Sequence, residues 1–300
     1  MTRIRLTLLL FLATACAATP QSSVRVAHLA TGEGFEELRA AFCEANPGYD
    51  VSYVRTPIKS VVGDRTQVLF VQRGTGNVSV QGNMTRLAQG DIVVLRPGQK
   101  VHWGGWSLSL LAFHVPSLPP DSVPTVVRPD WDEAITDTPG GCAEETGAYR
   151  RILLTWLDSV GPYVYRAINA HRVRITDSFT HYHPTDGGFD EFYLVQMAQP
   201  ESRLLTSEHV DWIESGAALS AKRAAKLFET HSLRVGDLVY MPRGTAHRGL
   251  GGALVQVITV PGFRPGAEVG LDHHLREIDA AHPALSIPYH EAAAAAPVIK

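Results

Sequence analysis

Short apolar runs separated by turn residues recur along the chain in two sets. In the first set they occupy residues 68–71, 77–80, 92–95 and 108–113. In the second set they occupy residues 151–156, 163–167, 191–195, 203–206, 238–240 and 253–258. Short β-prone runs between Gly- or Pro-containing turns are typical of strands in an all-β barrel or sandwich. The pattern therefore predicts an all-β chain in which one architecture is repeated.

Two segments depart from this pattern and predict helices. Residues 35–42 have the spacing of a short amphipathic helix, which residues 46–48 (Asn-Pro-Gly) would end. Residues 217–228 are rich in Ala, Leu, Lys and Arg, which favours an added helix within the second set. That helix is either a tolerated surface insertion or a lid over a barrel mouth. After Pro261 the chain is predicted to be irregular.

The two sets share a local motif. Residues 90–98 (GDIVVLRPG) are similar to residues 236–242 (GDLVYMP), which supports a repeated unit. Between the sets, residues 117–147 are rich in Pro, Asp and Thr and lack sustained apolar periodicity. This composition predicts a linker.

Composition narrows the class of protein. The chain has 300 residues, of which 45% are hydrophobic and 19% are charged, and its formal net charge is −3. This length allows two domains with well-buried cores. Because there is no surplus of basic residues, we expect no nucleic-acid partner.

The N-terminus resembles an export signal. Arg3 and Arg5 precede a short apolar run at residues 6–13, and Ala15 is followed by Cys16. The run is too short to span a bilayer as a helix. The sequence therefore predicts an exported protein, located either free in a bacterial periplasm or attached to the cell envelope by a lipid anchor at Cys16. A cytosolic protein with an apolar N-terminus is the remaining alternative.

Two further cysteines, Cys43 and Cys142, would remain after the signal is removed. An exported protein allows them to form a disulfide. Two buried, unpaired thiols are the alternative.

The strongest chemical signal lies in the second set. His181 and His183 are one residue apart, so both side chains project to the same side of a strand. Glu191 follows, and residues 236–247 (GDLVYMPRGTAH) contain a Pro-x-Gly turn before His247. Three imidazoles and one carboxylate form a first-row transition-metal site. The alternative is a set of ordinary polar residues at strand ends, but four residue types in this order favour a metal.

This arrangement resembles the cupin family, whose two motifs read G(X)5HXH(X)3-4E(X)6G and G(X)5PXG(X)2H(X)3N. Residues 236–247 fit the core of the second motif without a gap. The first motif is stretched between His183 and Glu191, and Gly251 stands where the second motif ends in Asn. Asp186 and Asp190 are therefore alternative ligands. Glu191 is favoured because it begins an apolar strand.

The resemblance implies a bicupin, with two double-stranded β-helix (jelly-roll) barrels of which only the second keeps its metal ligands. In the first barrel Gln67 takes the glutamate position and only His102 remains, which favours a structural role. A small-molecule pocket lined by His102 and Trp103 is the alternative. The predicted divisions are a signal peptide (1–15), a lead-in (16–50), a degenerate barrel (51–116), a linker (117–147), a metal-binding barrel (148–265) and a C-terminal tail (266–300).

The resemblance also implies a divalent transition metal, which could be Fe, Mn, Cu, Ni or Zn, and a small-molecule substrate. The expected function is a metal-dependent enzyme, foremost an oxygenase acting on an oxygen-rich substrate. The alternatives are a non-catalytic envelope protein that binds a small molecule or metal, and a redox-inactive lyase or isomerase. The predicted metal ligands and catalytic residues are His181, His183, Glu191 and His247. Three tyrosines could donate a proton or simply pack: Tyr165, Tyr193 and Tyr240.

Overall fold

A computed structural model describes residues 23–55, 60–104, 107–138 and 149–300, and these residues are mainly β. The all-β prediction is confirmed. The predicted export signal, with Cys16, and the predicted disulfide partner Cys142 lie outside the described residues. Among the described residues, no helix is both long and apolar enough to cross a membrane.

The first half of the chain forms one barrel from two sheets. The elements in this half of the chain are β1 (Arg25–His28), α1 (Phe35–Ala45), β2 (Asp50–Arg55), β3 (Ser60–Val61), β4 (Thr66–Arg73), β5 (Gly76–Val80), β6 (Asn83–Leu87), β7 (Ile92–Leu95), β8 (Lys100–Gly104), β9 (Ser109–Val115) and β10 (Val126–Val127). Of these, β1 belongs to the sheet of the second barrel. One sheet has the order β10-β7-β4-β9-β2, and the other has the order β3-β8-β5-β6.

The second half forms a barrel around one larger sheet. Its elements are β11 (Arg150–Leu154), β12 (Asn169–Asp177), β13 (His181–Tyr182), β14 (Asp190–Ala198), β15 (Arg203–Ser207), α2 (Val210–Glu214), α3 (Ala221–Ala224), β16 (Glu229–Ser232), β17 (Asp237–Met241), β18 (Ala246–Val260), β19 (Val269–Gly270) and α4 (Asp272–Ala281). The main strand order is β1-β17-β14-β18-β12-β11, and β13, β15, β16 and β19 pair alongside it.

Strands at the junction of the two barrels are apolar on both faces. In β4, Leu69 and Val71 face the interior of the first barrel, whereas Phe70 faces a core shared with the second barrel. In β14, Tyr193 faces inward and Phe192 faces the shared core. Successive side chains on a strand point to opposite faces, so a strand buried on both sides is a continuous apolar run.

Helix α1 fills the junction. The ring of Phe42 makes edge-to-face contacts with Phe113, Phe192 and Tyr240, at centroid distances of 5.8, 5.0 and 5.9 Å. Edge-to-face pairs at such distances are favourable beyond the apolar area that they bury. The helix predicted at residues 35–42 is therefore present, and it continues to Ala45.

Segments outside the two predicted barrel ranges also contribute strands. β1 pairs antiparallel with β17 of the second barrel, with Arg25 opposite Tyr240. β10 pairs with β7, and β19 pairs with β13. The lead-in, the linker and the tail are thus each attached to a sheet.

The helical insertion differs in detail from the prediction. In place of one helix over residues 217–228 there are α2, a 3₁₀ turn at Gly216–Ala218 and α3. Ser220 is extended, with ψ of 147°, and this interrupts the helix. These pieces pack against α4, where the sequence predicted irregular chain. Two buried residues of α4, Leu275 and Ile278, make that contact, and so few apolar positions give a weak helical pattern.

The shared core gives a direct test of how the barrels are joined. We expect Phe42→Ala to lower the free energy of unfolding by about 3–5 kcal/mol, because it leaves a cavity among aromatic rings. Urea denaturation measures this change. The control Met84→Ala removes a side chain that is 74% exposed and should change stability by less than about 0.5 kcal/mol. A loss below about 1 kcal/mol for Phe42→Ala would contradict this packing role.

Candidate metal centre

Strand pairing brings the first two ligand-bearing elements together. His181 on β13 lies directly opposite His247 on β18. His183 follows two residues after His181 and is also buried, at 2% exposure. The three imidazole rings lie 4.2 to 5.4 Å apart between centroids.

The Pro-x-Gly turn positions His247. Gly244 has φ of +88°, a conformation that side chains with a Cβ rarely adopt. A Cβ there would lie 2.7 Å from Thr185 Cγ2. The Gly244 N–H donates a hydrogen bond to the His183 carbonyl at 2.6 Å. The turn is therefore attached directly to the segment that carries His183.

Glu191 enters the same space from β14. It pairs with Met241 of β17 and with Thr259 of β18, so its carboxylate lies inside the second barrel. Its Oε1 atom is 3.3 Å from His247 Nε2, and its Oε2 atom is 3.7 Å from His183 Nε2. One potential ligand atom from each of the four residues lies within 4.8 Å of all the others, and all four residues are buried.

The hydrogen bonds of the rings leave their metal-binding nitrogens free. His181 Nδ1 lies 3.2 Å from the Phe179 carbonyl, and His247 Nδ1 lies 3.2 Å from the Thr245 carbonyl. A neutral imidazole that donates from Nδ1 carries its lone pair on Nε2. Such backbone contacts are the usual way in which a protein orients a ligand histidine.

Two of the Nε2 atoms lack a hydrogen-bond partner although they are buried. These are Nε2 of His183 and Nε2 of His247, which lie 3.7 and 3.3 Å from the nearer Glu191 carboxylate oxygen and make no hydrogen bond with it. Buried polar atoms without a partner are rare and costly. A cation placed among these converging lone pairs would be a partner for them. The three histidines and Glu191 therefore suit a divalent transition metal.

Burial determines the charge of the ligands. Desolvation lowers the pKa of His181 to about 3 and lowers the pKa of His183 well below its usual range, so both rings are neutral at pH 7. For His247, burial alone would lower the pKa, but the adjacent Glu191 carboxylate outweighs burial and leaves the pKa raised. The Glu191 carboxylate therefore favours a positive charge beside it, which a metal cation held by these four residues would supply.

The structure separates Glu191 from the competing carboxylates. Asp190 is completely buried, but it accepts hydrogen bonds from Tyr240, Asn46 and Arg243 at 2.5 to 2.9 Å, away from the imidazoles. Asp186 is exposed. Of the three carboxylates, only Glu191 belongs to the ligand cluster, which is the group formed by His181, His183, Glu191 and His247.

The local structure explains two departures from the cupin motifs, which are the longer connection between His183 and Glu191 and the glycine at position 251. The longer connection between His183 and Glu191 folds back so that the Phe189 ring packs on His183, with 4.0 Å between centroids. Gly251 has φ of +83°, and a Cβ there would lie 2.3 Å from the Glu201 carbonyl oxygen. A residue other than glycine is therefore strained at this position.

The three predicted tyrosines have different positions. The Tyr165 hydroxyl donates to the Ser117 carbonyl at 2.6 Å, and the Tyr240 hydroxyl donates to Asp190 at 2.8 Å. Tyr193 alone of the three packs against a ligand, edge-on to the His247 ring at 6.3 Å.

A cavity of about 260 Å³ adjoins the cluster at Glu191. Its lining includes five apolar residues, which are Ile152, Leu154, Trp156, Phe263 and Pro265. The lining also includes the polar residues Arg150, His171, Glu268 and Lys300. These polar residues are far apart in sequence and belong to no motif, so the sequence analysis missed them.

The first barrel differs in its chemistry. In the part of the chain that the structure describes, the His181, His183, Glu191 and His247 cluster is the only group of three or more residues arranged to hold a metal. His102 is exposed on β8, and Gln67 pairs with Leu95 of β7. A lone imidazole at the surface provides no metal site.

Comparison with known proteins gives the fold. No family model matches the chain, and no curated protein matches it. A mutant of salicylate 1,2-dioxygenase from Pseudoaminobacter salicylatoxidans is similar in structure, with 12% identity over 81% of this chain and 86% of that one, and a TM-score of 0.51. Oxalate decarboxylase from Bacillus subtilis has 14% identity, coverage of 85% and 78%, and a TM-score of 0.47.

A cupin 2 conserved barrel domain protein from Leptotrichia buccalis has 9% identity, coverage of 72% and 85%, and a TM-score of 0.43. The chain has the cupin fold, with two jelly-roll barrels, as the sequence predicted. At these identities the likeness shows the fold and leaves the function to be argued from the site.

Metal content tests the ligand cluster. We expect about one equivalent of metal per chain by elemental analysis after reconstitution, and loss of most of it in His247→Ala, because one of four ligands is removed. Glu191→Gln should also lose metal.

Two matched controls should keep it. His102→Ala removes an exposed imidazole of the first barrel, and Asp186→Asn removes the charge of the exposed competing carboxylate. Equal metal content in His247→Ala and His102→Ala would show that the cluster is not the metal site.

Proposed function

We propose that this chain is a metal-dependent enzyme of the oxygenase type that acts on a small, oxygen-rich molecule in its second barrel. His181, His183, Glu191 and His247 would be the metal ligands and, as ligands, the catalytic residues. The observation that carries the proposal is the convergence of four buried ligand atoms, two of them without hydrogen-bond partners, beside a cavity that reaches Glu191.

The ligand set favours chemistry over simple storage of a metal. On an octahedral ion such as Fe or Mn, four protein ligands leave up to two positions open for a small molecule, whereas on a tetrahedral zinc ion they would close the site. When bound, such an ion would supply Lewis-acid or redox chemistry to a molecule in the cavity. The metal could be Fe, Mn, Cu, Ni or Zn, because imidazole and carboxylate suit each of them.

The residues around the cavity would carry out the other catalytic tasks, which are to exclude water, orient the substrate and transfer a proton. The apolar lining, which includes Trp156 and Phe263, would exclude water and hold the substrate in one orientation. Glu268 lines the same cavity, and burial raises the pKa of its carboxyl. A buried carboxyl whose protonated form is favoured in this way can donate or accept a proton, so Glu268 is the candidate general acid or base.

The cellular location is part of the same proposal. Residues 1–15 have the charge and apolar pattern of an export signal. We therefore propose an exported protein of the bacterial periplasm, or one held at the cell envelope by a lipid on Cys16.

Oxygen consumption tests the reaction type. The protein is reconstituted with Fe(II) or Mn(II) and supplied with small hydroxy acids, diketones and catechols in an oxygen electrode. We expect oxygen uptake that needs both metal and substrate. Glu191→Ala and His247→Ala should reduce it more than about 100-fold, beyond the usual effect of losing an outer-shell partner, whereas His102→Ala should leave it unchanged.

Two outcomes would contradict an oxygenase. Turnover that continues without oxygen and with zinc would indicate a lyase or isomerase. Binding of a small molecule without conversion under any of these conditions would indicate a non-catalytic binding protein.

A further inference from the structure

Asp190 precedes Glu191 on β14, but its side chain lies in different surroundings. Successive side chains on a strand point to opposite faces. The Glu191 carboxylate therefore lies inside the second barrel, whereas the Asp190 carboxylate lies on the other face, next to Asn46 at the end of α1. Asp190 is completely buried, and a buried carboxylate is stable only when neighbouring groups compensate its charge and satisfy its oxygens. Its partners therefore show what this carboxylate does.

Each oxygen of the Asp190 carboxylate accepts two hydrogen bonds. Oδ1 accepts from the backbone N–H of Arg243 at 2.9 Å and from Arg243 Nε at 2.7 Å. Oδ2 accepts from Asn46 Nδ2 at 2.5 Å and from the Tyr240 hydroxyl at 2.8 Å. The guanidinium of Arg243 also donates to Asn46 Oδ1 at 2.7 Å. We call Asn46, Asp190, Tyr240 and Arg243 the Asp190 network.

The Asp190 network holds a turn that the strand ladder does not reach. The pairing of β14 with β17 extends to Glu191 and Met241. The next residue along β17 is Pro242, which has no N–H to donate. Beyond that point the Asp190 side chain accepts the backbone N–H of Arg243. The Pro-x-Gly turn is thus attached to β14 immediately before Glu191.

Three of the four candidate ligands are connected to this turn. Glu191 follows the carboxylate of the network directly in the sequence. The N–H of Gly244 in the turn donates to the His183 carbonyl at 2.6 Å. The Thr245 carbonyl, also in the turn, lies 3.2 Å from Nδ1 of His247. A displacement of the turn would therefore move these three ligands relative to one another.

The Asp190 network does not touch the space where a small molecule would bind. The cavity beside Glu191 is lined by other described residues, and no member of the network is among them. Asn46, Asp190 and Tyr240 are buried, and the Arg243 side chain is 25% exposed. The network can therefore act on the metal centre only through the ligands.

We propose that Asn46, Asp190 and Arg243 are positioning residues that set the geometry of the metal centre, so that α1 contributes to metal binding in the second barrel. This inference rests on the proposed function for the presence of a metal. A buried ion pair often adds no stability over apolar residues of similar volume. Orientation of the Pro-x-Gly turn is therefore the role that we assign to the pair of Asp190 and Arg243.

Cobalt binding measures this role without turnover. The visible absorption of bound Co(II) reports the geometry of its ligands, and competition with a chelator gives its affinity. Arg243→Met keeps the backbone N–H and removes the guanidinium. We expect this variant to bind Co(II) about 10- to 100-fold more weakly, which is the usual effect of losing an outer-shell partner, and to shift the visible bands.

Asn46→Ala tests the contribution of α1. It removes the amide that joins the helix to Asp190, so Co(II) affinity should fall by about tenfold or more. Thermal melting checks that each variant is folded. Arg243→Met alone tests the positioning role if Asn46→Ala does not fold.

Arg39→Met is the matched control. Arg39 lies on α1 and binds Asp50 through Nε and a terminal nitrogen, at 2.7 and 2.8 Å. The control therefore also loses a two-point ion pair of the Arg–carboxylate type, but one that has no contact with the Asp190 network. Its Co(II) affinity should stay within about twofold of that of the unmodified protein, with unchanged bands.

Two results would overturn the positioning role. One is an unchanged affinity and unchanged bands in Arg243→Met. The other is an equal loss of affinity and an equal band shift in Arg39→Met, because a general loss of stability would then explain the effect.

Failure of the unmodified protein to bind Co(II) would instead contradict the proposed function. The imidazole NMR signals of His183 and His247 in metal-free protein then test the positioning role. We expect these signals to shift in Arg243→Met and not in Arg39→Met. Unchanged signals in Arg243→Met would overturn the inference.

Discussion

Four lone-pair donors buried together in one barrel are the constraint on which the rest of this structure depends. A buried polar atom without a partner costs about 1–3 kcal/mol, and Nε2 of His183 and Nε2 of His247 both lack one. An apolar replacement would avoid that cost, so the convergence of these four side chains favours a positively charged partner among the donors. A divalent cation satisfies all four at once, whereas a proton on His247 satisfies only part of the cluster.

The surrounding fold keeps these donors in place. Strand β18 carries His247 and pairs with β12, β13, β14 and β15. Asp190, next to Glu191, accepts hydrogen bonds from Asn46 after α1, from Tyr240 on β17 and from Arg243 in the Pro-x-Gly turn. Through Asp190, the helix between the barrels is connected to the turn before His247. The first barrel lacks metal ligands among its described residues, but it buries the outer faces of β14 and β17.

Sequence predicted the features that depend on local spacing. Most strands could be predicted from the short apolar runs, because a strand that is buried on both faces has few polar positions. The motif at residues 236–247 could be recognised because its turn needs Gly244 at a fixed place. Other features depend on distant contacts. β1 has no apolar run and forms only by pairing with β17. Arg150, Glu268 and Lys300 meet at one cavity from separate parts of the chain, and nothing in their spacing indicates this.

Anomalous X-ray scattering from crystals of the metal-loaded protein tests the central claim most directly. We expect one strong peak inside the second barrel, about 2.0–2.2 Å from the imidazole nitrogens of His181, His183 and His247 and from a carboxylate oxygen of Glu191. A metal bound elsewhere, or fully loaded protein with no peak among these four side chains, would contradict it. The buried donors would then need another partner, and the enzyme proposed here would have no reacting centre.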